Sequence, residues 1–223
     1  MALLQELHLF LDPQPRDAAG QMAVDQALLE TSATPVLRTY LWAEPSVSFG
    51  YSQSLAEVQK AAPALPLVRR WTGGGIVEHT GDWTFALICP VSAPAARMAP
   101  DETYSLIHSA MLEALQHEEI AARLVRVGES SPGLACFTAP ALHDVFNAAG
   151  EKICGGAQRR TRHGFLHQGS LQKVPLGPQF AQRFATALSS SVSPFNSTSV
   201  IEERAGDLAK NRYATKTWLE KIP

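Results

Sequence analysis

The chain has little that would draw it to nucleic acid or to an acidic membrane. Lys and Arg number 19 against 21 Asp and Glu, a formal net charge of -2 over 223 residues, so no global field attracts a polyanion. Its three cysteines, Cys89, Cys136 and Cys154, are odd in number and never fall in a C-x-x-C pair; reduced thiols are expected, and no metal site. The longest apolar run, around FALICPV, is far shorter than the ~20 residues of a membrane-spanning helix. MALLQELHLFLDPQPRD lacks the basic start and unbroken apolar stretch of a signal peptide. Repeats, low-complexity tracts and heptads are missing too. A cytoplasmic protein with no nucleic-acid and no membrane partner is the expectation.

What is present is enough apolar sequence, 45% against 18% charged, to bury a core within one domain covering residues 1–223. ELHLFLD alternates like a strand and leads into a helix at AAGQMAVDQALLETSA. VLRTYLW, SVSFGY, LPLVRRW and DWTFALICPV read as strands, with a short helix at SLAEVQKAA that must end before Pro63. DETYSLIHSAMLEALQHEE is the clearest helix, with Leu106, Ala110 and Leu115 near one stripe and acidic residues in its first turn. AARLVRV is a further strand, and Asp144 to Leu171 is two or three antiparallel strands. PQFAQRFATALSSS and the tail from Ser199 are helical. Strands come in runs and do not alternate with helices, so the class is α+β with a mixed, largely antiparallel sheet flanked by helices.

Four segments carry chemistry. In GEKICGGAQRRTRHG, strand alternation puts Lys152 on one face with Cys154, beside Gly155 and Gly156. Either this is a lysine snorkelling from an edge strand, the reading preferred on this stretch alone, or an amine set where backbone lets a ligand come close. In RRWTGGGIVEH, three glycines can let backbone N–H groups converge on an oxyanion, with Arg69 and Arg70 for charge balance, or form a mere turn. It is not a Walker A loop. LACFTAP places Cys136 in a loop, where a thiol can be a nucleophile, whereas Cys89 inside FALICPV reads as core. His143, His163 and His167 are candidate bases that no spacing links to the thiol. QRRTRHG is a basic cluster at a turn, read as solvated or, alternatively, as a docking point for an acidic protein.

Taken together these stretches resemble the lipoate-protein ligase A and octanoyltransferase superfamily. RRWTGGGIVEH is similar to its Arg-Arg-x-x-Gly-Gly-Gly-x-Val-x-His motif, and GEKICGGAQRR to its Gly-x-Lys-Ile-x-Gly-Ser-Ala-Gln motif. AAGQMAVDQALLE, WAEPSVSFGYSQS and the terminal NRYATKTWLEK match further signatures in the same order. The resemblance implies the catalytic fold shared with biotin protein ligases; because the terminal signature falls at the end of the sequence, no accessory C-terminal domain is expected, although ligases usually need one and a separate chain could supply it. It implies that Lys152 hydrogen-bonds an activated acyl carbonyl, that Gly73, Gly74, Gly75 and His79 belong to the loop over the acyl group, and that Gly155, Gly156, Ala157, Gln158 and Gly169 belong to the strands lining it. Arg69 and Arg70 are carried along as substrate-binding. Gly156 departs from the family's Ser, His167-Gln168 from its usual pair, and Cys154 from a small apolar or hydroxyl residue.

Three functions follow from the resemblance. ACFTAP is similar to the Cys-Phe-x-x-Pro of octanoyltransferases, which implies that Cys136 takes an octanoyl or lipoyl group from acyl carrier protein and passes it to a lysine of a lipoyl domain or glycine-cleavage H-type protein, without a cofactor. An ATP- and Mg-dependent ligase acting through an acyl-adenylate is the second reading. A paralogue that binds acyl groups or carriers without turnover is the third. Since a ligase has no use for a loop thiol, Cys136 places the transferase first.

Overall fold

A computed structural model describes residues 2–221 except 63, 128 and 130–140. Strand β1 (Leu7–Leu11) enters helix α1 (Ala18–Thr31), whose start is capped by the Asp17 carboxylate accepting from the Gly20 N–H at 2.8 Å. Strands β2 (Val36–Tyr40) and β3 (Ser46–Phe49) follow, then helix α2 (Leu55–Ala61) and strands β4 (Leu67–Arg69), β5 (Val77–His79) and β6 (Trp83–Pro90). Helix α3 (Pro100–Gln116) begins with Pro100, Asp101 and Glu102, residues suited to the positive end of the helix dipole. Strands β7 (Ala122–Leu124), β8 (Val145–Asn147), β9 (Lys152–Thr161) and β10 (Gly164–Leu171) lead to helix α4 (Phe180–Leu188), strand β11 (Val192–Pro194) and helix α5 (Ser199–Leu208). A π-helical turn (Ala209–Tyr213) joins α5 to α6 (Lys216–Leu219).

The large sheet runs β11-β1-β2-β6-β10-β9-β8-β7, parallel at β11-β1-β2 and antiparallel elsewhere; β4-β3-β5 form a small second sheet. The α+β reading with a mixed, largely antiparallel sheet therefore holds. Alternate residues of the central strands feed two cores. Leu37, Phe85, Leu87 and Phe165 pack under α3 and α4. Val36, Ala86, Ile88 and Leu166 pack under α1 and α5. Because α5 covers it as well as the sheet, α1 buries every residue from Gln21 to Leu29.

Three details differ from the sequence reading. β5 and β11 are three residues each, too short for a period of two to declare itself. The buried stripe of α3 runs through Ile107, Ala110, Met111 and Ala114, with Leu106 half-buried. Finally, β8 and β9 change register between Val145 and Phe146, which pair with Cys154 and Lys152. This bulge takes Lys152 off the face it was expected to share with Cys154.

Candidate acyl-binding site

One row of neighbours crosses the large sheet: Gly155 of β9 pairs with Ser170 of β10, Ser170 with Thr84 of β6, and Thr84 with Tyr40 of β2. All four line a narrow pocket, partly open to solvent, with room of about 30 Å³. At ~4.8 Å between strands its floor spans ~14 Å. Gly74, Val77, Arg70, Ser48 and His79 roof it from the small sheet, and Met22 of α1 and Trp42 complete the wall.

Lys152 stands at the Gly155 end. Its ammonium lies 2.6 Å from the Asp144 carboxylate, and its side chain is 3% exposed, so it does not snorkel. A Cβ on Gly155 would come within 2.6 Å of the Lys152 Nζ and 3.2 Å of Asp144 Oδ1; glycine is what lets the amine lie against the strand. Asp144 is fixed in turn by the Tyr104 hydroxyl (2.7 Å) and the Ala141 N–H (2.6 Å).

The roof is as tightly tied. The Arg70 guanidinium donates to the carbonyls of Gly73 (3.0 Å) and Gly75 (2.8 Å) and to the Ser48 hydroxyl (2.8 Å). Gly74 has φ +85°, where an L side chain is strained, and Ala157 lies beneath it. A side chain on Gly50 would overlap the Gly74 carbonyl. Thr72 donates to Gln168 (2.7 Å), whose amide donates to Asp25 of α1 (2.7 Å), joining loop, sheet and helix. Asp25 and Asp12 flank the wholly buried Arg38 at 2.6 and 2.7 Å.

His79 closes the far end. Trp42 stacks on its ring at 3.9 Å; its Nδ1 meets Asp82 at 2.8 Å and its Nε2 meets the Ser48 hydroxyl at 2.6 Å. With Arg70 donating to Ser48, the hydroxyl donates to Nε2 and the proton sits on Nδ1. Burial holds His79 below the ordinary imidazole value against the opposing pull of Asp82. Asp82 is itself held low: burial would raise it, and hydrogen bonds from His79, Ser170 and Thr84 outweigh that.

Arg70, Gly74, His79, Gly155, Gly156, Ala157 and Gly169 line this pocket, and the Lys152 amine lies beside Gly155 at its edge without lining it. It puts Arg69 elsewhere: its guanidinium is spent on the carbonyls of Tyr51, Gln53, Trp218 and Leu219, anchoring α6 behind β4. Gly73 and Gly75 hold the loop through their carbonyls. Gln158 faces α3, where it bonds Thr103 and His167. Cys154 is fully buried in the α3/α4 core and is not among the residues lining the pocket. Cys89 is core as expected, its thiol pushed up to about 12 by burial. Cys136 lies outside the described residues. Trp42, Ser48, Asp82, Tyr104, Asp144, Gln168 and Ser170 were not singled out as site residues, although HTGD placed an acid three residues after His79 and Gln168 and Ser170 are polar residues within a strand.

Among the described residues no cluster of His, Cys, Asp and Glu suits a metal ion, and no helix is long and apolar enough to cross a membrane.

Residues 17–189 match the model of the lipoyl protein ligase A/B catalytic domain. Similar curated proteins are named octanoyltransferase LipM: one from Brevibacillus brevis is 32% identical over 69% of this chain and 61% of its own length, so that match spans under two thirds of the relative. Another from Macrococcus caseolyticus is 32% identical over 79% of this chain and 70% of its own, and one from Halalkalibacterium halodurans is 27% identical over 94% and 97%. Solved structures of similar fold include a putative lipoate protein ligase from T. acidophilum with bound lipoic acid (TM-score 0.78, 21% identity, 97% of this chain and 99% of that one) and a lipoate-protein ligase A bound with ATP (TM-score 0.78, 21%, 98% and 100%). The pocket, its glycine roof and its buried lysine thus sit in a chain that belongs to the lipoyl protein ligase A/B catalytic domain family.

Proposed function

We propose that this protein transfers an octanoyl group in lipoylation, from a thioester on acyl carrier protein to a lysine of a lipoyl domain or glycine-cleavage H-type protein. The observation that carries the reading is the Lys152 ammonium, held at 2.6 Å by Asp144 and laid against Gly155 at the edge of a pocket that crosses the sheet. Relatives named octanoyltransferase at about 30% identity support it. The Cys136 thiolate attacks the thioester carbonyl; the carrier thiolate leaves and takes up a proton, giving octanoyl-Cys136. An acceptor lysine amine then attacks that thioester and loses its proton, and the amide forms as the Cys136 thiol is restored. In both steps the Lys152 ammonium donates to the developing oxyanion, where an aimed charge is worth more than in water.

Mass spectrometry after incubation with octanoyl-acyl carrier protein tests this: an octanoyl adduct is expected on Cys136, lost in Cys136→Ser and kept in Cys154→Ser. Absence of the adduct together with acyl-adenylate formation from octanoate and ATP would replace the reading with the ligase one.

A further inference from the structure

The basic run QRRTRHG does not stay together in the fold. Arg160 turns toward α3, donating to the Ala96 carbonyl (2.9 Å) and Thr103 (2.9 Å), and Arg162 is exposed at the turn. Arg159 goes the other way. It follows Gly155 and Ala157 on the pocket face of β9, and its guanidinium lies over Tyr51 (5.0 Å) and Trp71 (5.6 Å). Arg212, from the π-helical turn, lies over Trp71 (4.8 Å) and Trp218 (3.9 Å). Lys221 lies over Tyr51 (4.7 Å) and Trp218 (5.3 Å).

Three cations thus share three aromatic rings beside the glycine loop. None of them forms an ion pair with an acid among the described residues, and the Arg159 Nε is buried without a hydrogen-bond partner. Among the described residues the Arg212 side chain hydrogen-bonds the neutral Gln26 amide oxygen (2.9 Å); burial works most against its charge, Arg159 adds to that, and Tyr213, Glu30 and Tyr51 oppose it from a distance. Cations gathered without an ion-paired acid repel one another, and an anion relieves that repulsion.

Position suggests which anion. Arg159 is four residues along β9 from Gly155, ~13 Å in an extended strand, past Ala157 on the strand face that lines the pocket. A thioester whose carbonyl sits at Lys152 and whose donor leaves along this face of β9 carries its phosphate toward Arg159. We propose that Arg159, Arg212 and Lys221, set on Tyr51, Trp71 and Trp218, form an anion site for the phosphate of a phosphopantetheine-type thioester donor. The proposal rests on the transferase reading for its ligand, and the arm between sulfur and phosphate has the reach to bridge the two points.

The test compares S-octanoyl-phosphopantetheine with S-octanoyl-pantetheine, which lacks only the phosphate, in steady-state transfer to a lipoyl domain. The wild-type protein should show a KM about tenfold or more lower for the phosphorylated donor, the scale of one charge-assisted hydrogen bond. Arg159→Gln and Arg212→Gln should collapse that ratio toward one, while Arg162→Gln at the exposed turn keeps it. Equal KM values in the wild type, or a loss in Arg159→Gln that preserves the ratio, would overturn the site. Calorimetry with phosphopantetheine and pantetheine alone separates the site from the reaction. Binding of the phosphorylated compound without any transfer upholds the site and sinks the transferase reading; neither binding nor transfer sinks both. MgATP displacing phosphopantetheine more strongly than phosphopantetheine itself binds would assign the cations to a nucleotide and overturn the proposal.

Discussion

Two glycine-rich stretches meet at the pocket, and they use glycine for opposite reasons. In the Gly73–Gly75 loop, nothing lies within 4 Å of a Cβ on Gly73, while Gly74 is set apart by its φ of +85° and would set a Cβ against Arg70 and Ala157 at 3.3 and 3.5 Å. In β9 the backbone is ordinary and the space is full. A Cβ on Gly155 would meet the Lys152 amine, and one on Gly156 would overlap the His167 ring. The loop needs glycine for shape, and the strand needs it to leave room for buried polar side chains. The same residue type therefore predicts different consequences of substitution on the two sides of one pocket.

The strand side should show the largest effects. Lys152→Ala should lower acyl transfer by about two to three orders of magnitude, mainly in kcat. Gly155→Ala should approach it without touching the lysine's chemistry, because the methyl group displaces an amine tied to Asp144. Wild-type rates in Gly155→Ala would mean that the Lys152 position seen here is not the working one.

Next in size is Gly156→Ser, which restores the residue usual in the family's motif. Its side chain would overlap a fully buried His167, and overpacking of this kind costs about 1–3 kcal/mol. The thermal midpoint should fall, and His167→Ala in the same chain should recover part of the loss. Independent effects of the two changes would break the steric account.

On the loop side, Gly74→Leu should abolish octanoyl binding in calorimetry while the thermal midpoint falls only slightly, through backbone strain at positive φ. Gly73→Ala, with open space and no positive φ, should leave the midpoint within about 0.5 kcal/mol of wild type. A large loss in Gly73→Ala would erase the contrast between loop and strand.

The buried histidines opposite the pocket add a pH dependence. Burial lowers His108 to about 4 and His167 well below 6.5. Both are neutral when folded, so the unfolded chain binds protons first as pH falls. Stability is complete above the unfolded value near 6.5 and is lost as pH drops toward 4. Urea midpoints between pH 7 and 4.5 should show this slope, and His108→Gln should flatten it.

Much of the architecture was legible locally. The strand-helix start at Leu7 to Thr31, the helix ending before Pro63, α3 with its acidic first turn and the hairpin of β9 and β10 all follow from short-range pattern and capping. Motif order carried the family, and Gly74 and His79 of its motifs line the pocket. The reading failed where one extra residue or a distant partner decides. Alternation assigned Lys152 to the face of Cys154, and a bulge against β8 moved it. Arg69 and Arg70 are adjacent and chemically identical in the sequence, yet Arg69 holds the C-terminal helix and Arg70 the pocket roof. Gln158 has pocket residues on both sides in the motif and points to α3.

Sequence alone determined which groups were available: an apolar period for a two-sided sheet, glycines at the points of close approach, a lysine among them and a cysteine at position 136. These depend on neighbours in the chain, whose spacing is set by covalent geometry. Tertiary structure decided which groups act together. Asp144 meets Lys152, Asp82 and Ser48 hold His79, and Arg212 and Lys221 stand beside Arg159, because side chains far apart in sequence meet only when register and packing bring their strands and helices into contact.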